Sequence, residues 1–545
     1  MTQPADLVLV GAHVEPIALR SQPADAVAVR AGRISAVGTA ADVEGLVGPR
    51  TRLIRLHGET LLPGFQDAHV HPVYGGLTLR NCNLHGLPDQ DAYLAALAAY
   101  AAGHPELEWL TGDGWTYGPF PGGIPRRETL DQVVADRPVF LTAYDGHSAW
   151  VNTRALELAG ITAETPDPAF GRIERDPDGT PIGLLSETAQ GLVQRLVPEP
   201  TQAELVESLL HSQRHLHSLG ITAWHDPGVN PEWLPAYRDL AESGRLTARV
   251  VAAQQWWPWG EAKEHHPLPR LLAQREALRI GPLRADVVKF WLDGVFENGT
   301  AVVLEPYLRT DGAATDNRGT PNHGVEELNA AVIELERQGF DSHFHAIGDG
   351  AVRQALDAVA AARAANGPRD VRHSIAHIEL IHGADISRFA ALDVAANMQP
   401  FWATYDQDTR EILLPRLGAD RVGARYAFGD LYRSGARLAG GSDWTVTTAN
   451  PLEEIEVAIR RVDPSQRDGE PFGADQRLDL DTALAAFTIG SAWVNRLEAD
   501  TGTIEVGKLA DVVVLDRDLR EIPDGRTADA KVVKTFVDGA PVFEA

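Results

Sequence analysis

The stretch ADVVKFWLDG (285–294) places a lysine between Val288 and Phe290, inside an apolar run that reads as a buried strand. The chain has five lysines, and the other four (Lys263, Lys508, Lys531, Lys534) have charged or turn-forming residues close by. A buried ammonium is costly unless it is paired or neutralised, so Lys289 either reaches an edge or does chemistry. Other reactive residue types close similar runs. FQDAHVH ends in His69 and His71, and alternation puts both imidazoles on one face. HFHAI carries His343 and His345, AHIEL carries His377, and GSDW carries Asp443. Imidazole with carboxylate is a donor set for Zn²⁺ or another divalent metal. One inward histidine alone is more often a satisfied core residue. The recurrence of these types at the ends of separate strands, in one frame, is what points to a metal.

These residues need elements that bring them to one place. Eight strand candidates are followed by helical patterns: 65–71, 220–226, 248–254, 286–293, 340–347, 372–380, 393–399 and 436–443. Eight such units predict an α/β fold, a (β/α)₈ TIM barrel over 63–499, with chemistry at the C-terminal strand ends. The gap between the first two strands is too long for one helix. It holds helices near 90–103, 153–160 and 201–219 and the strand RPVFLTAY, and about 75–200 is expected to form an insertion above that face. The Pro-, Gly- and Asp-rich run 163–185 reads as a surface hairpin. Both termini are rich in short strands, so residues 1–62 and 500–545 are expected to form one small composite β-sandwich domain.

Composition narrows the partners. With 49 basic and 76 acidic residues the formal charge is −27, which argues against nucleic acid and anionic membrane. The single cysteine, Cys82, excludes an intrachain disulfide and fits a reducing, cytoplasmic setting. The first residues, MTQPADLVLVGAHV, show no signal-peptide pattern, and no run of eighteen apolar residues occurs.

The segments PGFQDAHVHP, VVKFWLDG, HFHAIGDGAV, AHIEL and GSDWTV resemble the amidohydrolase superfamily, in that superfamily's order. LLPGFQDAHVH after a β-rich start and TGTIEVGKLADVVVLD near the end fit it too. DGHSAWVNTRAL (145–156) and HAIGDGAV (345–352) narrow the resemblance to the YtcJ-like branch, which includes N-substituted formamide deformylases. The resemblance implies that His69, His71 and Asp443 bind a more buried metal, and that His345 and His377 bind a more exposed one. It implies that Lys289 matches a lysine that reacts with CO₂ and bridges two metals as a carbamate. Burial would supply the neutral amine this needs, which arginine cannot. The other reading of Lys289 is an ion pair with Asp293 or Glu297. Some members hold one metal and others two, which leaves the count open. Ser374 and Ala376 stand where many relatives have arginine and glutamate, so ligand orientation there is expected to differ.

The expected chemistry is hydrolysis of a non-peptide C–N bond by metal-activated water, with Asp443 as general base and then acid. The substrate is a small molecule, an amide or N-substituted formamide with an apolar or aromatic group. An ester, lactone or carbamate at the same site is an alternative, as is a non-catalytic binding barrel. Cys82, in the insertion, is not required as a nucleophile. Aromatic residues on the strand-end loops (Trp291, Trp402, Trp444, Phe401, and QQWWPWG at 254–260) are expected to line an apolar mouth, against a background of ordinary packing. His147 and Asn152 are expected to contact substrate, and Trp115 to cap the pocket from a mobile loop. His225 and His343 read equally as orienting, structural or catalytic groups. The His265–His266 pair reads as exposed loop. Barrels of this superfamily often form homodimers, and no stretch here marks an interface.

Overall fold

The computed structural model describes residues 3–17, 23–78, 81–257, 266–309 and 311–545. Trp259 of the aromatic run and His265 lie outside the described residues. Eight parallel strands form the central sheet: Phe65–Asp67, Ile221–Val229, Arg249–Gln255, Val287–Trp291, Asp341–Ala346, Ser374–His377, Ala395–Met398 and Leu438–Gly440. They follow one another in chain order across the sheet. Ala68 N donates to Gly440 O at 2.8 Å and Asp443 N to His69 O at 2.7 Å, which returns the eighth strand to the first. The fold is therefore the expected (β/α)₈ barrel with additional sheets.

The fourth strand shows why the sequence pattern works. Val287, Val288, Lys289 and Phe290 are all buried, as in a parallel strand covered on both faces. Register then sets the reactive residues side by side: Lys289 opposite His343, Trp291 opposite His345, and His345 opposite Ala376. The outer helices bury one stripe each. In Val325–Arg337 the buried residues Leu328, Ala331, Val332 and Leu335 follow the helical repeat. Helix Gln202–Ser218 begins with a capping box, in which Thr201 N donates to Glu204 Oε2 at 2.9 Å.

Between the first and second barrel strands a second, six-stranded sheet is inserted. Its order is Gly171–Arg175, Pro181–Glu187, Ser148–Val151, Val139–Ala143, Leu110–Trp115 and Cys82–Asn83. The run 163–185 contributes the edge hairpin of this sheet, with Arg172 opposite Ser186. The sheet is tied to the loop after the fourth barrel strand, where Asn298 Nδ2 donates to His147 O at 3.2 Å and Thr300 Oγ1 to Glu187 Oε1 at 2.5 Å.

The two termini share a sheet: Thr60–Pro63 pairs antiparallel with Val512–Leu515, which pairs with Val532–Val537. A four-stranded sheet of residues 7–55 packs on it through Leu7, Leu9, Val27, Val29, Val512, Val514 and Phe536. This unit joins the barrel at its N-terminal end, where Arg249 forks onto Asp511 with two contacts of 2.8 Å. No helix among the described residues is long and apolar enough to cross a membrane.

The Asp511 side chain is 1% exposed, so removing its partner strands a charge. Arg249→Met is expected to lower unfolding free energy by about 3–5 kcal/mol. The double variant Arg249→Met/Asp511→Leu should recover most of that loss, read as urea midpoints.

Candidate active site

The strand ends converge as their types require. His71 Nε2 lies 3.1 Å from Asp443 Oδ1, and His69 Nε2 lies 3.5 Å from the same oxygen. His377 Nδ1 lies 3.9 Å from Asp443 Oδ2, and the His345 and His377 rings are 4.5 Å apart. Donor atoms of His69, His377 and Asp443 fall within 4.8 Å of one another, all buried. Lys289 is fully buried, with Nζ 4.3 Å over the Trp291 ring. Among the described residues, Lys289 Nζ, His345 Nδ1 and His377 Nδ1 have no hydrogen-bond partner. Buried polar atoms rarely stay unpartnered, so these call for a group of opposite character between them. A divalent cation answers the imidazole nitrogens, and beside it the Lys289 nitrogen has to be uncharged.

Protonation states favour the same chemistry. Burial first, then the Lys289 charge, holds His69 and His343 well below the usual imidazole range. Burial and the His377 charge do the same for His345. His377 is pushed to about 3 by burial, against the attraction of Asp443. Neutral imidazoles are what a metal requires. Burial would raise Asp443, but His71, His377 and Lys289 override it and keep it below the ordinary carboxylate range. Burial lowers Lys289 to about 7 against the pull of Asp443 and Asp226, so neutral amine is accessible near neutrality.

The candidate donors are held by neighbouring polar groups. Asp67 accepts from His69 N at 2.9 Å, Ser442 N at 3.1 Å and Ser442 Oγ at 2.6 Å, tying the first and eighth strand ends together. His343 Nε2 is 2.9 Å from His69 Nδ1, and its Nδ1 is 2.8 Å from Ser374 Oγ. This chain orients His69 so that Nε2 faces Asp443, and Ser374 takes part in it directly. His377 N donates to Gln399 Oε1 at 2.9 Å, Gln399 Nε2 to Asn397 Oδ1 at 2.9 Å, and Asn397 Nδ2 to Ala68 O at 2.8 Å. His377 and Asp443 have positive φ of 76° and 52°, a strained state for such residues that these bonds sustain.

The structure sorts the remaining candidates. His147 is buried against the site: its Nδ1 lies 2.8 Å from Glu187 Oε2 and its ring 5.3 Å from that of His345. Burial would lower His147, but Glu187 overrides it and raises it to about 9. Trp291 lies 5.2 Å from His345, and Trp402 stacks on His377 at 5.0 Å and 3°. Trp444 instead packs on Gly75 and the His215 ring. Two expectations give way to packing. Trp115 is fully buried, donates Nε1–H to Leu141 O at 2.9 Å and packs on Tyr117, Phe120 and Trp150, so it caps no pocket. Asn152 caps helix Thr153–Ala159 and spends its amide on Val139 N, Val134 O and Arg137 O, which leaves nothing for substrate.

Lys289 has no ion pair with Asp293 or Glu297. Asp293 accepts the backbone amides of Val302, Ile347 and Gly348. His225 is fully buried 4.8 Å from His343 between rings, with both nitrogens unpartnered among the described residues. Cys82 is buried and its thiol pushed up to about 12 by burial, the opposite of an activated nucleophile. Sequence reasoning missed Asp67, although it shares the alternation of His69 and His71. It missed Glu187 because only sheet register brings that residue to His147.

A (β/α)₈ barrel with a buried His/Asp cluster at its strand ends defines the class, a metal-dependent hydrolase. Comparison gives the family: the model of the amidohydrolase family matches residues 52–543, and the chain belongs to that family. It is 30% identical to Protein LONG AFTER FAR-RED 3 of Arabidopsis thaliana, over 95% of this chain and 88% of that one. It is 29% identical to the putative amidohydrolase YtcJ of Bacillus subtilis, covering 95% and 96%. It is 26% identical to the N-substituted formamide deformylase of Arthrobacter pascens, covering 100% and 99%. A solved structure of an uncharacterized metal-dependent hydrolase from Pyrococcus horikoshii superposes with TM-score 0.73 at 25% identity, covering 95% and 99%.

Asp67→Ala and His343→Phe should each keep the fold but weaken metal retention about 10–100-fold. Metal remaining after graded chelator dialysis, measured by plasma emission, checks this. Retention equal to wild type would show that neither group orients a ligand.

Proposed function

We propose that the chain hydrolyses a non-peptide C–N bond in a small molecule, an amide or N-substituted formamide with an apolar or aromatic group. The observation that carries this reading is the convergence of five donor side chains and an unpartnered, fully buried lysine nitrogen on one barrel mouth. The formamide class draws support from the Arthrobacter relative's name. In this reading zinc is the metal. His69, His71 and Asp443 would hold one ion, and His345 and His377 would hold a second. The neutral Lys289 amine adds to CO₂, forming the N–C bond of a carbamate and releasing a proton. That anion would offset the charge of the bound metal.

Bound metal would polarise the scissile carbonyl and acidify a water. Asp443, ionised and fixed by the loop that Asp67 holds, accepts the proton of the attacking water. It then delivers that proton to the leaving nitrogen as the C–N bond breaks. His147, kept protonated by Glu187 beside His345, offers a hydrogen bond to the substrate carbonyl side. The Trp291 and Trp402 rings give the substrate apolar walls.

A leaving amine needs a proton and a good oxygen leaving group does not. Asp443→Asn should therefore cut amide or formamide kcat by about 10²–10⁴, and turnover of an activated aryl ester far less. Steady-state kinetics on metal-loaded protein reads both. Equal losses would remove Asp443 from proton transfer, and turnover of esters alone would favour an esterase or lactonase.

A further inference from the structure

A cavity of about 150 Å³ adjoins the donor cluster. Trp402, stacked on His377, forms one wall, and Val446 and Thr447 follow Asp443 into it. Val295 lines it next to Gly294, whose carbonyl is 3.5 Å from His345 Nε2. This is the size class that holds a benzene ring. Tyr144, Phe401, Trp402 and Tyr426 supply aromatic faces. The charged lining is unbalanced: Asp145, Glu297, Glu379, Asp406 and Asp463 are carboxylates, and Arg425 is the one guanidinium among them.

Most of these charges are already engaged. Arg425 Nη2 donates to Glu379 and to Tyr426 Oη, and Nη1 to Thr409 Oγ1 at 3.3 Å. Asp145 accepts from His147 N at 2.9 Å and from the Tyr117 hydroxyl at 3.1 Å. Asp406 accepts from Thr409 N at 2.7 Å, and Asp463 from Ser465 N at 2.7 Å. Glu297 differs. It is 8% exposed, lines the cavity, and makes no hydrogen bond or ion pair among the described residues. Burial, then the Glu379 and Asp145 charges, push its carboxyl well above the ordinary range against the pull of Arg425, so it ionises readily only when a further cation faces it.

The occupant must answer both features. An anionic group would face a ring of carboxylates, and Arg425 already spends both Nη groups, with Nε alone unpartnered among the described residues. A neutral apolar group would satisfy the walls and leave Glu297 buried without a partner, at a cost. A cation satisfies both, through charge-assisted hydrogen bonds to the carboxylate and the faces of the aromatic rings. We propose that this cavity binds a cationic substituent of the substrate, an ammonium or amidinium group on an aromatic or short aliphatic arm, with Glu297 as its counter-ion. As a substrate subsite the cavity rests on the hydrolase reading above; as a cation site it does not.

The test separates the two. Titration calorimetry on metal-loaded wild-type protein compares benzamidinium, benzyl alcohol and benzoate, which share a ring and differ in charge. Benzamidinium is expected to bind at least about tenfold tighter than benzyl alcohol, with benzoate weakest. Glu297→Gln should shrink that advantage to about threefold or less. Equal or weaker binding of benzamidinium in wild type, or no binding of it at all, overturns the proposal without any variant. An undiminished preference in a folded Glu297→Gln protein removes Glu297 from the site. Formamides with neutral and with cationic aryl groups are then assayed. No turnover of either, with the cation preference present, overturns the hydrolase reading and leaves the cation site standing. Faster turnover of the neutral amides overturns the cationic substrate class and leaves the hydrolase reading standing.

Discussion

An amine, several imidazoles and a carboxylate are packed together at the strand ends, and three of their nitrogens find no hydrogen-bond partner among the described residues. Lys289 Nζ, His345 Nδ1 and His377 Nδ1 are buried without partners. Each such atom costs free energy that the packing around it does not return. In a protein with only five lysines, placing one between Val288 and Phe290 makes sense when something else completes the cluster. Neutral imidazoles and an ionised Asp443 are the state in which these donors face cations. The proposed carbamate would turn the one misplaced positive charge into a negative one between them.

Most of the remaining architecture serves to hold that arrangement. The barrel sets strand ends side by side, so Lys289, His343 and Ser374 align across three strands through backbone register alone. Register does not fix loops, and the loops are pinned separately. Asp67 ties the His69 loop to Ser442, and Gln399 and Asn397 tie the His377 backbone to Ala68. Positive φ at His377 and Asp443 marks where the backbone is bent away from its preferences to aim a side chain. The inserted sheet reaches the same mouth through His147 and Glu187, and Asn298 of the loop after the fourth barrel strand ties it there, so the insertion supplies an enclosing wall.

The eight barrel strands were legible because parallel strands buried on both faces leave short apolar runs, and their last residues carried the reactive types. The convergence of His69, His377 and Asp443 was legible for the same reason: each closes a run. Trp115 and Asn152 were misread because local sequence cannot tell a side chain facing a pocket from one filling a core or capping a helix. Trp115 sits in a glycine-rich stretch that looks mobile, yet Tyr117, Phe120 and Trp150 enclose it. Asn152 precedes a helix, and its capping geometry is the ordinary use of asparagine there. Glu187 was invisible as a site residue, since only sheet register brings it to His147, and Glu297 was placed against Lys289 when the fold turns it to a cavity lined by distant segments instead.

The most direct test of the account is metal per chain, on protein purified without chelator, for wild type and Lys289→Ala side by side. The account expects about two divalent ions in wild type and one or none in the variant, with zinc the metal found. About one ion in both proteins would make Lys289 a packing residue and reduce the centre to a single site. No metal in either would contradict the central claim, and the converging histidines would then belong to a binding barrel.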